Sequence, residues 1–472
     1  MKPSPAKCLA LVLMAAFGLR LAAGWYWQGW LDGNHRGPFG FGDSEGYWVL
    51  ARAIAHGEPY QYGPEGFRVF RTPGYPIVLT PVLMLVGNDP PVVWGRAFSA
   101  VLDTLAVAAV GWLAWRLFSP WAGVLAAAMA AVYPGSIAVG FLVLGEAPFC
   151  PLMLLHLGLW MAAWNACATE ARSPDKKRGP APGTARCLSP FVLAAGAGLA
   201  AGAATLVRPD WLLFIPFATV VGVLLGREKG TSPFCRNGPK GASHKRWMSP
   251  FPGALPHLWL AGAMLVGLAI VMSPWWLRNA RVTGRFVPTT LQVGASLYDG
   301  WNPQATGASD WTLVQPGAEE MRSQIVAADP DAALSGDWEY QLDARLRGEA
   351  IAWALSNPGR VAELAAIKLA RMWNPWPNEP SMSAWPIRWG LALVYVPILA
   401  LGVWGAAKTI RRGWPYVLCW LPAVYFTLLH TVFVSSIRYR QPAMLGLMVL
   451  AGGVIARWRV RGESHAGALG AP

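Results

Sequence analysis

The residues able to do chemistry in this chain sit in a few short polar breaks between apolar runs. The first reads Gly42-Asp43-Ser44-Glu45-Gly46-Tyr47-Trp48. Two carboxylates, Asp43 and Glu45, stand there among aromatics, and one could act as general base on an acceptor hydroxyl or amine. Asp43 or Ser44 could equally cap the helix that continues to about Ala55. The two roles are compatible. The second break reads Phe67-Arg68-Val69-Phe70-Arg71-Thr72-Pro73-Gly74-Tyr75-Pro76. Its two arginines suit a phosphate clamp, or ordinary snorkelling at a membrane interface. In Gly145-Glu146-Ala147-Pro148, Glu146 is the sole Asp, Glu, Lys or Arg between Ser119 and Asn165. An ionisable residue so isolated points to function, with a carboxylate at a helix N-terminus as the alternative.

Arginine recurs at three further breaks: Arg208-Pro209-Asp210-Trp211, Ser273-Pro274-Trp275-Trp276-Leu277-Arg278-Asn279-Ala280-Arg281, and Ser436-Ile437-Arg438-Tyr439-Arg440-Gln441-Pro442. A local ion pair would also account for Arg208 and Asp210. Taken together, the breaks offer several arginines opposite two acidic positions, which suits a polyanionic headgroup.

The elements that must position these residues are membrane spans. The chain is 54% hydrophobic and 14% charged, well below the roughly 25% charge of soluble domains. Its 27 tryptophans suit the two membrane interfaces. Apolar segments fall at about 8–24, 92–115, 121–141, 148–164, 190–206, 211–226, 256–276, 387–406, 414–434 and 441–456, predicting an all-α polytopic membrane protein of about ten helices. The first reads as an uncleaved helix rather than a signal peptide, because Arg20 interrupts it and no small-x-small site precedes Trp25-Tyr26-Trp27. The run 74–87 is short and holds Pro76 and Pro81, so it reads as a juxtamembrane element. On that parity the loops 165–189, 227–254 and 407–413 and the basic tail 457–472 are cytoplasmic, with both termini on the cytoplasmic side of the inner membrane, in line with the positive-inside rule. The outer side then holds a first loop at 25–91 and a long segment at 277–386. Of its sixteen basic residues all but Lys368 are arginine. In the long segment, Trp338–Ser356 and Val361–Met372 read as interface-lying helices, and 302–337 as loop.

Other classes find little support. The net charge of +14 clusters in short loops as a topology signal, and no basic-aromatic surface suggests nucleic acid. Six cysteines avoid the outer loops, so no disulfide framework is expected. No phosphate-binding glycine loop occurs. Asp329-Pro330-Asp331 resembles a nucleotide-sugar motif, but lies on the outer side, where nucleotide sugars are not supplied. The seven histidines lack ligand spacing, although His35 and His56 could join Asp43 or Glu146 at a metal.

With these residues assembled, the chain resembles the GT-C superfamily of membrane glycosyltransferases, in particular bacterial relatives of protein O-mannosyltransferase and lipid A aminoarabinose transferase (glycosyltransferase family 39-like). The resemblance spans about residues 8–456, within a domain at 1–456. It rests on Asp43-Ser-Glu-Gly-Tyr47, Arg71-Thr-Pro-Gly-Tyr-Pro76, Leu144-Gly-Glu-Ala-Pro-Phe149, Arg208-Pro209, Pro274-Trp-Trp-Leu-Arg-Asn279 and Arg438-Tyr-Arg440. It implies a GT-C-like bundle with outer juxtamembrane helices, and a sugar donor carried on a polyprenyl phosphate. It further implies inverting transfer to a protein, lipid A or surface glycan at the outer face. By the resemblance Asp43 activates the acceptor, and Glu146 matches a second acidic position, where better-known relatives commonly have Asp. Arg71, Arg208, Arg278, Arg438 and Arg440 become candidate ligands of the lipid phosphate, with Glu45, Tyr47 and Tyr75 in support. A divalent metal near Asp43 and Glu146 would be compatible. The competing readings are a polyprenyl-linked glycan ligase or polymerase, and a transporter or flippase, which would place more charge within the spans.

Overall fold

Proline opens many helices of this chain, because its missing N–H is not needed in the first turn and its fixed φ suits entry. The computed structural model describes residues 3–40, 42–63, 66–87, 90–170, 189–226, 254–329, 336–377 and 384–469. In chain order the helices are α1 (Pro5–Gly33), α2 (Gly42–His56), α3 (Gly74–Val86), α4 (Val93–Leu117), α5 (Pro120–Val132), α6 (Pro134–Phe141), α7 (Glu146–Glu170), α8 (Pro190–Val207), α9 (Phe214–Gly226), α10 (Leu255–Thr283), α11 (Val293–Gly300), α12 (Trp311–Ala328), α13 (Asp337–Ser356), α14 (Pro358–Trp373), α15 (Trp385–Thr409), α16 (Trp414–Val432) and α17 (Gln441–Leu469). No strand occurs among the described residues.

Among the described residues eight helices (α1, α4, α7, α8, α10, α15, α16 and α17) are long and apolar enough to span a membrane, and α5 with α6, bent by 64° at their junction, makes a ninth if the pair counts as one span. The tenth expected segment is the short apolar helix Pro209–Leu225. The bend has a local cause. Pro134 cannot donate to the Ala130 carbonyl, so the ladder breaks at Tyr133. Arg20 of α1 fills the gap, donating to the carbonyls of Ala130 (3.3 Å) and Ala131 (3.2 Å) while its Nε pairs with Asp103 of α4 at 2.6 Å. Both charges are fully buried, and Arg96, the third main charge within the spans, donates to Gln28 and to the carbonyls of Phe141 and Pro38.

Small residues bring the spans together, as expected where lipid removes the hydrophobic drive between helices. A Cβ on Gly198 of α8 would lie 2.0 Å from the Met264 carbonyl oxygen of α10, and one on Gly267 of α10 would lie 2.3 Å from that of Ala195.

The helices α2, α3 and α11–α14 gather at one end of this bundle. The expected pair at 338–356 and 361–372 is present as α13 and α14, separated at Asn357. The stretch 302–337 departs from the expected loop, because it contains α12. Asp310 caps it by accepting from the Thr312 amide, and Val314 and Ile325, with Ala318 and Met321, pack into a small core with Trp338, Leu342 and Leu346 of α13. Their spacing is helical, but the stripe is one residue wide in a polar segment. None of Cys8, Cys150, Cys167 and Cys419 forms a disulfide among the described residues.

Candidate active site

Three chain segments meet where α2, α7 and α8 reach the same end of the bundle, and the turn between α16 and α17 joins them. Asp43 lies in the first turn of α2, where a helix N-terminus favours negative charge. Its Oδ1 accepts from Arg71 Nη2 and its Oδ2 from Arg438 Nη1, each at 2.8 Å. Glu146 opens α7 and is completely buried. Arg438 grips it as a fork, Nε to Oε1 at 2.6 Å and Nη2 to Oε2 at 3.0 Å. Arg208, just beyond α8, donates to Glu146 through Nη1 and to Asp210 through Nε and Nη2. Arg438 is therefore a bridge, one planar guanidinium spanning two carboxylates from distant parts of the chain.

Packing explains why these groups meet. Gly74 begins α3 directly against the end of α8, where a Cβ would lie 2.5 Å from the Leu206 carbonyl. That contact carries Arg71 toward Arg208. Gly46 leaves room for the Tyr62 ring and the Arg71 side chain, since a Cβ there would lie 2.7 Å from that ring and 3.2 Å from Arg71 Nε. The Arg71 guanidinium then lies 5.1 Å from the ring centres of Tyr47 and Tyr62. Tyr75 is buried beneath Tyr47, edge-on at 5.0 Å, with its hydroxyl against that of Ser99. Tyr47 and Tyr75 thus form the floor of the site, and Glu45 faces away and is exposed. Ser44 is buried with no hydrogen-bond partner for its hydroxyl, so it does not cap α2.

Charge is balanced: Arg71, Arg208 and Arg438 face Asp43, Glu146 and Asp210. Burial alone would raise the Asp43 pKa, but Arg438 and Arg71 outweigh it and hold the carboxyl well below the usual carboxylate range. Of the carboxylates in the cluster, Asp43 is the most open, at 36% exposure against 0% for Glu146. Asp43 can thus meet an incoming molecule, and Glu146 anchors arginines from beneath.

Two of the arginines singled out in the sequence lie elsewhere. Arg440 stands two residues from Arg438 yet turns away, donating to the carbonyls of Met372 and Asn374 with its guanidinium 3.6 Å from the Tyr395 ring centre. It ties the end of α14 to α15. Arg278 lies over Trp275 (4.7 Å) and Tyr60 (5.2 Å), with its best donor contact the Tyr60 carbonyl at 3.3 Å. Asp210 is a member that sequence reading left as a local partner, its signal being the spacing of two from Arg208. His56 approaches Glu58 rather than the cluster. Of Asp329-Pro330-Asp331, the last two lie outside the described residues.

A divalent metal at Asp43 and Glu146 would need an open donor set. The oxygens of both carboxylates already accept from guanidinium nitrogens, and Arg438 fills the bridging place between them. Among the described residues no group of three or more His, Cys, Asp or Glu could hold a metal ion. As arranged, these residues do not fit a metal.

No family model matches the sequence, and no curated protein matches it. Solved structures do. The chain is similar to the oligosaccharyltransferase AglB from Archaeoglobus fulgidus in complex with an inhibitory peptide and a dolichol-phosphate, with TM-score 0.55 and 13% identity over 99% of this chain and 52% of that one. The apo oligosaccharyltransferase from the same organism gives TM-score 0.52 and 16% identity over 100% and 52%. ArnT from Cupriavidus metallidurans bound to undecaprenyl phosphate overlaps at TM-score 0.37 and 16% identity over 87% and 73%. The chain spans about half the length of the oligosaccharyltransferases it matches. At such identities the likeness is one of fold alone: this chain shares the helical fold of these oligosaccharyltransferases.

Proposed function

We propose that this protein transfers a sugar from a polyprenyl-phosphate donor to an acceptor hydroxyl or amine, at the outer face of the cytoplasmic membrane. The observation that carries the reading is the lattice Asp43–Arg438–Glu146–Arg208–Asp210, with Arg71 on Asp43, at one end of a GT-C fold. It combines an accessible carboxylate with guanidiniums suited to a phosphate oxygen. Helix α7 begins at the site with Glu146 and α8 ends there at Val207, and the Lys- and Arg-rich sequence between their far ends supports an outer-face site through the positive-inside rule.

In this mechanism the donor phosphate lies against Arg71 and Arg438, on the side open to Asp43. Asp43 takes the proton of the acceptor as its oxygen or nitrogen attacks the anomeric carbon. The bond from that carbon to the phosphate oxygen breaks, polyprenyl phosphate leaves with the electron pair, and configuration inverts. The arginines stabilise the charge gathering on the leaving phosphate. Glu146 holds Arg438 and Arg208 in register and takes no proton. Acceptor recognition falls to the segment 277–386, whose helix α13 meets the first loop through Glu339.

The test uses purified protein in nanodiscs, radiolabelled polyprenyl-phosphate sugars and an envelope extract as acceptor. Wild type should transfer or hydrolyse the sugar, and Asp43→Asn should not. Full turnover by Asp43→Asn would remove this residue from the mechanism. Movement of labelled lipid across the bilayer without sugar release would favour a flippase.

A further inference from the structure

Arg71 enters the cluster from a segment with no regular secondary structure, so something must hold that segment still. The structure shows three supports. Tyr60 donates its hydroxyl to the carbonyls of Arg71 and Thr72, each at 3.2 Å. The Leu291 amide donates to the Val69 carbonyl at 3.0 Å. The third support is a carboxylate from far along the chain. Glu339 of α13, 1% exposed, accepts the Arg68 amide on Oε2 at 2.9 Å and the Val69 amide on both oxygens at 3.1 Å. These amides lie three and two residues before Arg71.

We propose that Glu339 is a positioning residue for transfer, its buried carboxylate latching the 68–71 segment of the first loop so that Arg71 is set against Asp43 and the donor phosphate. This rests on the reading of the site given above. A buried acid is costly unless its oxygens are hydrogen-bonded, and here the partners are backbone amides. Among the described residues no cation is in ion-pair contact with Glu339. Packing runs alongside the latch, with Trp338 against Phe67 at 4.9 Å and Trp311 against Phe70 at 6.0 Å. The long segment that would recognise the acceptor is thus joined through Glu339 to the arginine that would hold the donor. Arg278 completes the arrangement by stacking on Tyr60, the opposite support.

Oε2 alone takes both amides, so a neutral amide oxygen in its place would serve. Glu339→Gln should therefore keep the latch, and Glu339→Ala should release it. The prediction is a donor KM raised about tenfold or more in Glu339→Ala, with kcat within about threefold and Glu339→Gln close to wild type. Because Glu339 acts through Arg71, Glu339→Ala should add nothing to the KM of Arg71→Ala in a double-mutant cycle. Hydrogen–deuterium exchange over 66–72 should be faster in Glu339→Ala and unchanged in Glu339→Gln.

The exchange measurement reads the latch without any sugar transfer. If wild type has no activity, the transferase reading fails while the latch is still tested. Exchange over 66–72 unchanged by Glu339→Ala, or effects of Glu339 and Arg71 that multiply, would overturn the proposal. Should Glu339→Ala fail to fold, Glu339→Gln carries the test. A folded Gln variant with weakened donor KM or faster exchange would overturn it as well.

Discussion

Replacing Arg438 by lysine is the sharpest probe of the bridging guanidinium. The change keeps the positive charge and much of the length, and removes only the planar fork. Arg438 makes three contacts: Nη1 to Asp43 at 2.8 Å, Nε to Glu146 Oε1 at 2.6 Å, and Nη2 to Glu146 Oε2 at 3.0 Å. A lysine ammonium can hold one of these positions, so two contacts go. Hydrogen bonds to charged groups contribute about 1.5–3 kcal/mol. The side chain is 24% exposed, which argues for the lower figure because solvent screens the pair. Two contacts then sum to about 3 kcal/mol, or on the order of 100-fold in kcat/KM if the fork acts in the transition state. Glu146 retains Arg208, so the protein should fold. The assay is kcat/KM for donor in nanodiscs, with a thermal melt to confirm folding. Arg440→Lys serves as comparison, since that arginine donates to backbone carbonyls away from the cluster and should leave the chemical step alone. An Arg438→Lys enzyme within about threefold of wild type would refute the bridging role.

Two further outcomes follow from the geometry. The folded-state pKa of Asp43 is depressed below its ordinary value of 3.8 by Arg438 and Arg71, against the opposing effect of burial. Its contribution to stability is therefore fully present above pH 3.8 and is lost only as pH falls through the lower folded value. Between pH 5 and 8 Asp43 should give no acid limb in kcat/KM, while Arg71→Gln, which removes one counter-charge, should move such a limb upward. Burial pushes Glu339 up to about 7, but a neutral oxygen serves its latch equally, so an acid limb between pH 5 and 8 in wild type would contradict the assignment. At the α8–α10 contact, Gly198→Ala forces a methyl onto a carbonyl oxygen 2.0 Å away, whereas Gly262→Ala meets nothing within 4 Å. A melt in detergent should show Gly198→Ala destabilised by about 1–3 kcal/mol and Gly262→Ala unchanged, and equal melts would remove the close-packing argument.

Much of the fold was legible because its signals are local. Apolar runs of spanning length and prolines at helix starts lie in consecutive residues, and hydropathy reads them without knowledge of neighbours. The acidic anchors were legible for the same reason, since Glu146 is isolated in an apolar run and Asp43 opens a helix among aromatics. The helix α12 was missed because its buried face, Val314, Ala318, Met321 and Ile325, is a narrow stripe that becomes apolar surface only once α13 lies against it. Nothing in Ile437-Arg438-Tyr439-Arg440 says which arginine turns to Glu146 and which to Tyr395. That depends on how the turn packs between α7 and α15. Glu339 carried no sequence signal either, as one carboxylate on a charged helix. What joins it to Arg71 is the meeting of segments some 270 residues apart. The sequence by itself determined the spans and the polar ends where charges can survive. Which charges pair at those ends was decided by the tertiary structure, because an ion pair depends on distance in space and the chain encodes distance only through packing.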